Sequence, residues 1–314
     1  MKMGFETLGL RLVLSLILLP VLVSGYLQKS SPNQIPPSNQ QNIVKQNSLL
    51  EIGRPVRQAA FPQSSSELKI ISYNIRWRGG EELRSLIELF RHDEEIGGAG
   101  ILGLQEVDRN KKRTQQTNTV RLIADELGFN YAWTAPPAAK PNDEEGTGVA
   151  ILSPYPLSNV QRIVLPHEGP SNRRRVALGA TITIRNVDIR AYTVHSETRI
   201  SVGRKLEQMQ AVLKDLALYP ATMPALVLGD LNTWEPSAVK KTRKLFTQEN
   251  FQTPLDDQPT FYRRILLFPL KLKLDWIWLR NLEAVSSGID RKISLSDHWP
   301  LWCIVKMKDN QPAS

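Results

Sequence analysis

Asp230 and Asn232 stand two residues apart where the apolar run "ALVLGD" (225–230) ends. Packing alone does not call for a carboxylate and a carboxamide at the end of a buried strand. The pattern recurs: Asn74 closes "LKIISYN", Glu106 closes "GILGLQE" and His195 closes "AYTVH". Two later runs carry the polar group in front. Asp275 opens "DWIWL", and Asp297-His298 precedes "WPLWCIV". If those two strands run antiparallel to the first four, all six sites reach one rim of a sheet. Strand-end loops on one rim are where α/β proteins build sites.

The chemistry of this set is coherent. Glu106 and Asn74 offer hard oxygen ligands, and the chain has no cysteine cluster or paired-histidine zinc pattern. An ion held here would be Mg²⁺, Mn²⁺ or Ca²⁺ rather than zinc. His195 and His298, with the remaining carboxylates, can then handle protons. Such a mixture suits attack of water on a phosphoester, where a metal and cationic donors stabilise the phosphoryl oxygens.

The elements that must position these groups follow from periodicity. Leu83, Leu86, Ile87 and Phe90 keep helical spacing,. A second helix is expected over roughly 116–127. A third runs from about 200 to 218, with Val202, Leu206, Met209, Val212, Leu213 and Leu216 in one stripe,. Further β-like runs cover 148–152, 174–184 and 187–195, the last two joined through Asn186 in a hairpin signal,. Strands interleaved with a few long helices predict a mixed α/β domain of one or two sheets covered by helices.

Composition sets the outer bounds. The chain has 314 residues, 41% of them apolar, and a net charge of +9. This permits anionic partners, among them nucleic acid, anionic lipid and phosphate esters, without choosing one. Cys303 is the single cysteine, so no internal disulfide forms. Lys2 and Arg11 precede the apolar run 12–25, which reads as a signal peptide or an N-terminal anchor over residues 1–25,. Either places the rest outside the cytoplasm: periplasmic, extracellular or membrane-anchored. Residues 26–66 are rich in Pro, Gln, Asn and Ser and read as a disordered linker,. The globular domain is expected over 67–308, acting as a monomer, with a short tail at 309–314.

The ordered strings "SYNIRW", "LQEVD", "TVHSE", "GDLNTW", "KLDWIWL" and "LSDHWPL" resemble the endonuclease/exonuclease/phosphatase superfamily across about residues 68–307. The resemblance implies a four-layer α/β/β/α sandwich of two packed mixed sheets. It also implies a metal-dependent phosphoesterase site. In that pattern Glu106 matches the principal metal ligand, and Asn74 assists at metal and phosphate. Asp230 and Asn232 match the pair that orients the attacking water and the scissile phosphate. His298 matches the active-site histidine, oriented by Asp275, with Asp297 beside the metal. His195 matches the second histidine of the deoxyribonuclease and sphingomyelinase branches. Arg175, in "NRRRVAL", loosely matches a phosphate-binding arginine. The acid that orients the second histidine in some members has no counterpart in the sequence.

The substrate stays open at this level. A nuclease acting on DNA or RNA, a phospholipid phosphodiesterase or phosphatase, and a non-catalytic binding module all fit the family pattern. "RNKKR" (109–113) reads as a solvated basic loop, and the tryptophans at 276, 278, 299 and 302 read as core. Residues 263–273, "RRILLFPLKLK", combine an apolar centre with basic flanks. That composition fits a membrane-surface contact. It also fits an ordinary hairpin that packs its apolar side on the core, the simpler reading of the composition.

Overall fold

The computed structural model describes residues 49–59, 66–137, 145–170, 172–266 and 268–307. The apolar run at 12–25, most of the expected linker and the tail at 309–314 lie outside the described residues. Described residues all fall in one compact unit spanning 43–314.

The chain forms β1 (Leu50–Gly53), β2 (Glu67–Asn74), α1 (Gly80–His92), β3 (Ile101–Arg109), α2 (Thr119–Leu127), β4 (Asn130–Thr134) and β5 (Gly146–Ser153). There follow β6 (Leu157–Val164), β7 (Val176–Ile184), β8 (Val187–His195), α3 (Val202–Leu216), β9 (Ala225–Asp230) and α4 (Pro236–Gln248). The last elements are β10 (Phe261–Ile265), β11 (Phe268–Leu272), β12 (Asp275–Arg280), β13 (Glu283–Ile289) and β14 (Leu301–Lys306). One sheet has the order β1-β4-β5-β3-β2-β14-β13, and a second has β12-β9-β8-β7-β6. β10 and β11 make a separate hairpin.

Three apolar clusters define the layers. Ile70, Ile101, Val149 and Ile151 of the first sheet meet Leu178, Leu226, Leu228 and Ile277 of the second. On the far face of the first sheet, Tyr73, Leu102 and Leu104 take Leu83, Leu86, Phe90 and Ile123 from α1 and α2. On the far face of the second, Tyr192, Val227, Trp276 and Trp278 take Met209, Val212, Leu216 and Phe246 from α3 and α4. The architecture is therefore the four-layer α/β/β/α sandwich of two mixed sheets. The sheets approach closely at Gly103, where an added Cβ would stand 2.1 Å from Leu228 Cδ1. Trp276 and Trp278 are fully buried, as expected, while Trp299 and Trp302 are half-buried.

Strand direction matches the expectation from sequence. β2 pairs parallel to β3, and β8 parallel to β9. β12 runs antiparallel to β9, and β14 antiparallel to β2. Strands that end in polar residues and strands that begin with them therefore meet at one rim.

Residues 49–59, read from composition as part of the linker, belong to the fold. β1 pairs antiparallel with the buried β4. Glu51 accepts from Tyr131 Oη at 2.7 Å and Asn118 Nδ2 at 2.9 Å, and pairs with Arg109 at 3.2 Å. Four residues are too few to show periodicity, and all of Glu51's partners are remote in sequence. Arg109, expected in a solvated basic loop, is buried over the Trp133 ring at 4.2 Å. Loss of these charge-assisted bonds in Glu51→Ala should cost about 2 kcal/mol. A urea melt of the full chain checks this, and an unshifted midpoint would make β1 a passive edge.

Candidate active site

Backbone geometry aims the rim residues. Glu106 sits in a β-bulge between β3 and β5 with φ of 56°. A left-handed glutamate within a strand is strained and persists where its surroundings over-determine it. Asn232 is also left-handed, at φ of 52°. Gly229, at φ of 129°, lies so close to β8 that an added Cβ would meet the Val194 carbonyl oxygen at 2.1 Å. Only glycine fits before Asp230.

Asp230 is the centre of the site. It lies in register between His195 on β8 and Asp275 on β12. Its Oδ2 accepts from Asn74 Nδ2 at 3.1 Å, and its Oδ1 from the Asn232 amide at 3.0 Å. The same Oδ2 lies 3.8 Å from His298 Nε2 and 3.6 Å from His195 Nε2. The Asn74–Asp230 bond joins the two sheets across the rim, and Asn74 Nδ2 also reaches Glu106 Oε1 at 3.3 Å. Asp230 and both histidines are buried.

His298 is held from the opposite side. Its Nδ1 lies 2.9 Å from Asp275 Oδ2. That carboxylate oxygen also accepts the Thr260 hydroxyl at 2.6 Å, and Thr260 Oγ1 takes the Leu274 and Asp275 amides. Phe261 packs edge-on against the His298 ring at 5.0 Å. Burial opposes a charge on His298, but Asp275 and Asp230 outweigh it and push its pKa up to about 10. Burial raises the Asp230 carboxyl, with His298 working against the shift.

His298 keeps its proton to higher pH when folded than when unfolded, so the stabilisation it contributes is complete below its unfolded value near 6.5 and fades as pH rises toward 10,. The raised Asp230 carboxyl adds a fall of the same sign that begins at lower pH,. Between pH 6.5 and 8, in EDTA, stability should fall by roughly 1 kcal/mol per pH unit. His298→Asn should flatten that slope in denaturant melts, and an unchanged slope would separate it from His298.

His195 is arranged differently. Arg175 Nη1 approaches its Nδ1 at 3.5 Å. A guanidinium only donates, so Nδ1 accepts and the proton sits on Nε2, facing Asp230 and, at 4.0 Å, Glu106,. Burial, then the charges of Arg175 and His298, hold its pKa well below the usual value. A neutral imidazole with a fixed Nε2–H is a hydrogen-bond donor into the site. Glu197 pairs with Arg175 at 3.0 Å, so its carboxylate is linked to His195 through the arginine.

Several supports were not visible in the sequence. Lys205 is buried in α3 and donates to the Asn232 carbonyl at 2.6 Å. Burial lowers its pKa to about 8, against the raising effect of Glu235, Asp230 and Glu197. Asn232 Nδ2 donates to the Ser196 carbonyl at 2.9 Å, and Thr198 Oγ1 donates to Asn232 Oδ1 at 3.2 Å. Asp297 pairs through its carboxylate with Arg76 Nη1 at 3.2 Å. Trp77 stacks under Arg113 at 3.9 Å, and Arg113 is tied to Asp108 at 2.7 Å.

The donor set accommodates a hard cation. Glu106 Oε2 is buried with no hydrogen-bond partner among the described residues, and an ionised oxygen in that position calls for a cation or donor. Asp230, Asp275 and His298 place ligand atoms within 4.8 Å of one another. That trio is already internally paired, whereas Glu106 keeps a free oxygen. Glu106 is therefore the better-fitting seat, and Asn74, whose Nδ2 faces Glu106 while its Oδ1 accepts from the Arg76 amide at 3.2 Å, would ligate beside it through Oδ1.

The profile of the Endonuclease/Exonuclease/phosphatase family matches residues 71–298. No curated protein matches the chain. Among solved structures, a functionally unknown conserved protein from Enterococcus faecalis V583 is 21% identical with a TM-score of 0.59, covering 77% of this chain and 100% of its own. The human Nocturnin catalytic domain with bound sulfate is 19% identical with a TM-score of 0.58, over 78% of this chain and 96% of its own. D. rerio TDP2 complexed with a single-strand DNA product is 16% identical with a TM-score of 0.58, over 77% and 99%. These likenesses concern the fold. The profile match runs from within β2 to His298 and takes in the rim residues from Asn74 onward, so the chain belongs to the endonuclease/exonuclease/phosphatase family.

Proposed function

We propose that this chain is a divalent-metal-dependent phosphoesterase that hydrolyses phosphodiester bonds by attack of water. The observation that carries the reading is the buried, unpartnered Glu106 oxygen beside a carboxylate flanked by two histidines. Glu106 and Asn74 would hold Mg²⁺, with Mn²⁺ or Ca²⁺ as alternatives. The bound ion would supply positive charge at the phosphoryl oxygens.

The chain's own groups do the rest. Asp230 orients the attacking water and takes its proton as the new O–P bond forms, with Asn232 and Lys205 fixing the turn that aims it. Protonated His298, steadied by Asp275, donates to the phosphoryl group. His195 gives a second donor through Nε2–H, and Arg175 lies behind it as a cation. The leaving P–O bond breaks with its electrons on the departing oxygen. The export reading rests on the N-terminal residues 1–25 alone.

A panel tests this. The chain is incubated with Mg²⁺, Mn²⁺ or Ca²⁺ and bis(4-nitrophenyl) phosphate, plasmid DNA, RNA, sphingomyelin and phosphatidylinositol phosphates. Metal-dependent turnover of the generic diester supports the proposal, and inactivity on every member refutes it. TDP2 is solved with a DNA product, which keeps a nuclease in view. A nuclease would show steep salt dependence.

A further inference from the structure

The β10–β11 hairpin is rooted at the catalytic rim and ends in exposed apolar side chains. Phe261 forms a β-bridge with His298, and the Tyr262 amide donates to the Asp297 carbonyl at 2.8 Å. Its register sets Ile265 opposite Phe268, Arg263 opposite Leu270 and Phe261 opposite Leu272. Residues opposite one another share a face. One face is thus apolar apart from Arg263, and the other carries Tyr262, Arg264, Pro269 and Lys271.

This face is covered at its root, where Phe261 is buried, and half-covered at Ile265, Leu270 and Leu272, and it opens to water only at the tip. None of the three clusters takes in Ile265, Leu266, Phe268, Leu270 or Leu272 among the described residues. Leu266 is 86% exposed and Phe268 76% exposed. Leu266 also adopts a left-handed φ of 53°, where a hairpin turn ordinarily has Asn or Gly. A strained leucine facing water has no packing reason. Leu267 lies outside the described residues. Lys273, counted in sequence as a basic flank, is buried and donates to the Asp256 carbonyl at 3.2 Å. Arg264 and Lys271 remain exposed, and residues 261–274 contain no acid.

We infer that this hairpin docks on the surface of a bilayer containing anionic phospholipid. An apolar tip enters the boundary between headgroups and acyl chains, while cations behind it meet anionic headgroups. The exposed tip pairs aliphatic Leu266 with the one ring of Phe268, short of the series of rings that a base-stacking platform uses, which argues against a nucleic acid here,. Docking would bring the rim of His298 to headgroup phosphodiesters, which deepens and rests on the phosphoesterase reading.

The test uses the full chain with Phe268→Cys carrying an environment-sensitive dye. Cys303 is buried, so labelling is selective. Emission should rise about twofold or more with phosphatidylcholine–phosphatidylserine vesicles and less with phosphatidylcholine alone. The same dye at Gln161→Cys, on the opposite edge strand of the five-stranded sheet, should not respond. No rise at 268, an equal rise at 161, or a rise with single-stranded DNA in place of vesicles would overturn the inference. Leu266→Glu/Phe268→Glu should keep turnover on bis(4-nitrophenyl) phosphate and lose turnover on vesicle phospholipid. Equal lipid turnover by both proteins overturns the docking role. An inactive wild type on the soluble diester defeats the phosphoesterase reading instead, while the dye at 268 still reports docking. Should the double variant fail to fold, the labelled chain decides alone.

Discussion

His298→Ala should lower turnover on a phosphodiester by about 10²–10⁴, the range for a group that donates or accepts a proton in the transition state. The imidazole is buried, fixed through Nδ1 to Asp275 and aimed through Nε2 at Asp230. Removing it takes away the donor and leaves both carboxylates without their shared cation. Asp275→Asn should cost less, because the histidine stays but is less well oriented and less readily charged. KM should change little beside kcat in both variants if the contact strengthens in the transition state. Steady-state kinetics on folded protein checks the order. Near-wild-type turnover in His298→Ala would remove this residue from the chemistry.

Glu106→Gln is expected to weaken Mg²⁺ binding about 10²-fold or more, since even outer partners of metal ligands cost 10–100-fold. The substitution keeps the size and the bulge while removing the charge, so stability without metal should hold or rise. The readout is independent of turnover. Mg²⁺ should raise the melting temperature of the wild type by mass action and leave the variant nearly unmoved. Equal stabilisation of both proteins would move the cation elsewhere, with the Asp230–Asp275–His298 cluster the next seat to examine.

The rim residues were legible in sequence because strands break their own pattern there. A polar residue ending an apolar run, as at Asn74, Glu106, His195 and Asp230, has few reasons to exist other than a site. The supports were not legible, since they come from elements whose local signals point elsewhere. Lys205 looks like the polar face of a helix striped by Leu206 and Leu213, yet α3 turns Lys205 and Gln208 inward to reach Asn232 and Glu197. Thr260 precedes a hairpin and gives no sign that its hydroxyl braces Asp275. α4 turns Ala238, Val239, Thr242, Leu245 and Phe246 toward the core at helical spacing, but only Val239, Leu245 and Phe246 are large and apolar, so the stripe is weak in the sequence. β1 is four residues long and is held by partners 58 to 80 positions away. Family resemblance supplied the two-sheet sandwich, which periodicity alone left as one sheet or two.

Metal-stripped protein assayed on bis(4-nitrophenyl) phosphate across a Mg²⁺ titration tests the central claim most directly. The account predicts no turnover in EDTA, saturable recovery with Mg²⁺ or Mn²⁺, and a recovery curve displaced to higher metal in Glu106→Gln. Full turnover in EDTA, or recovery with zinc alone, would contradict it.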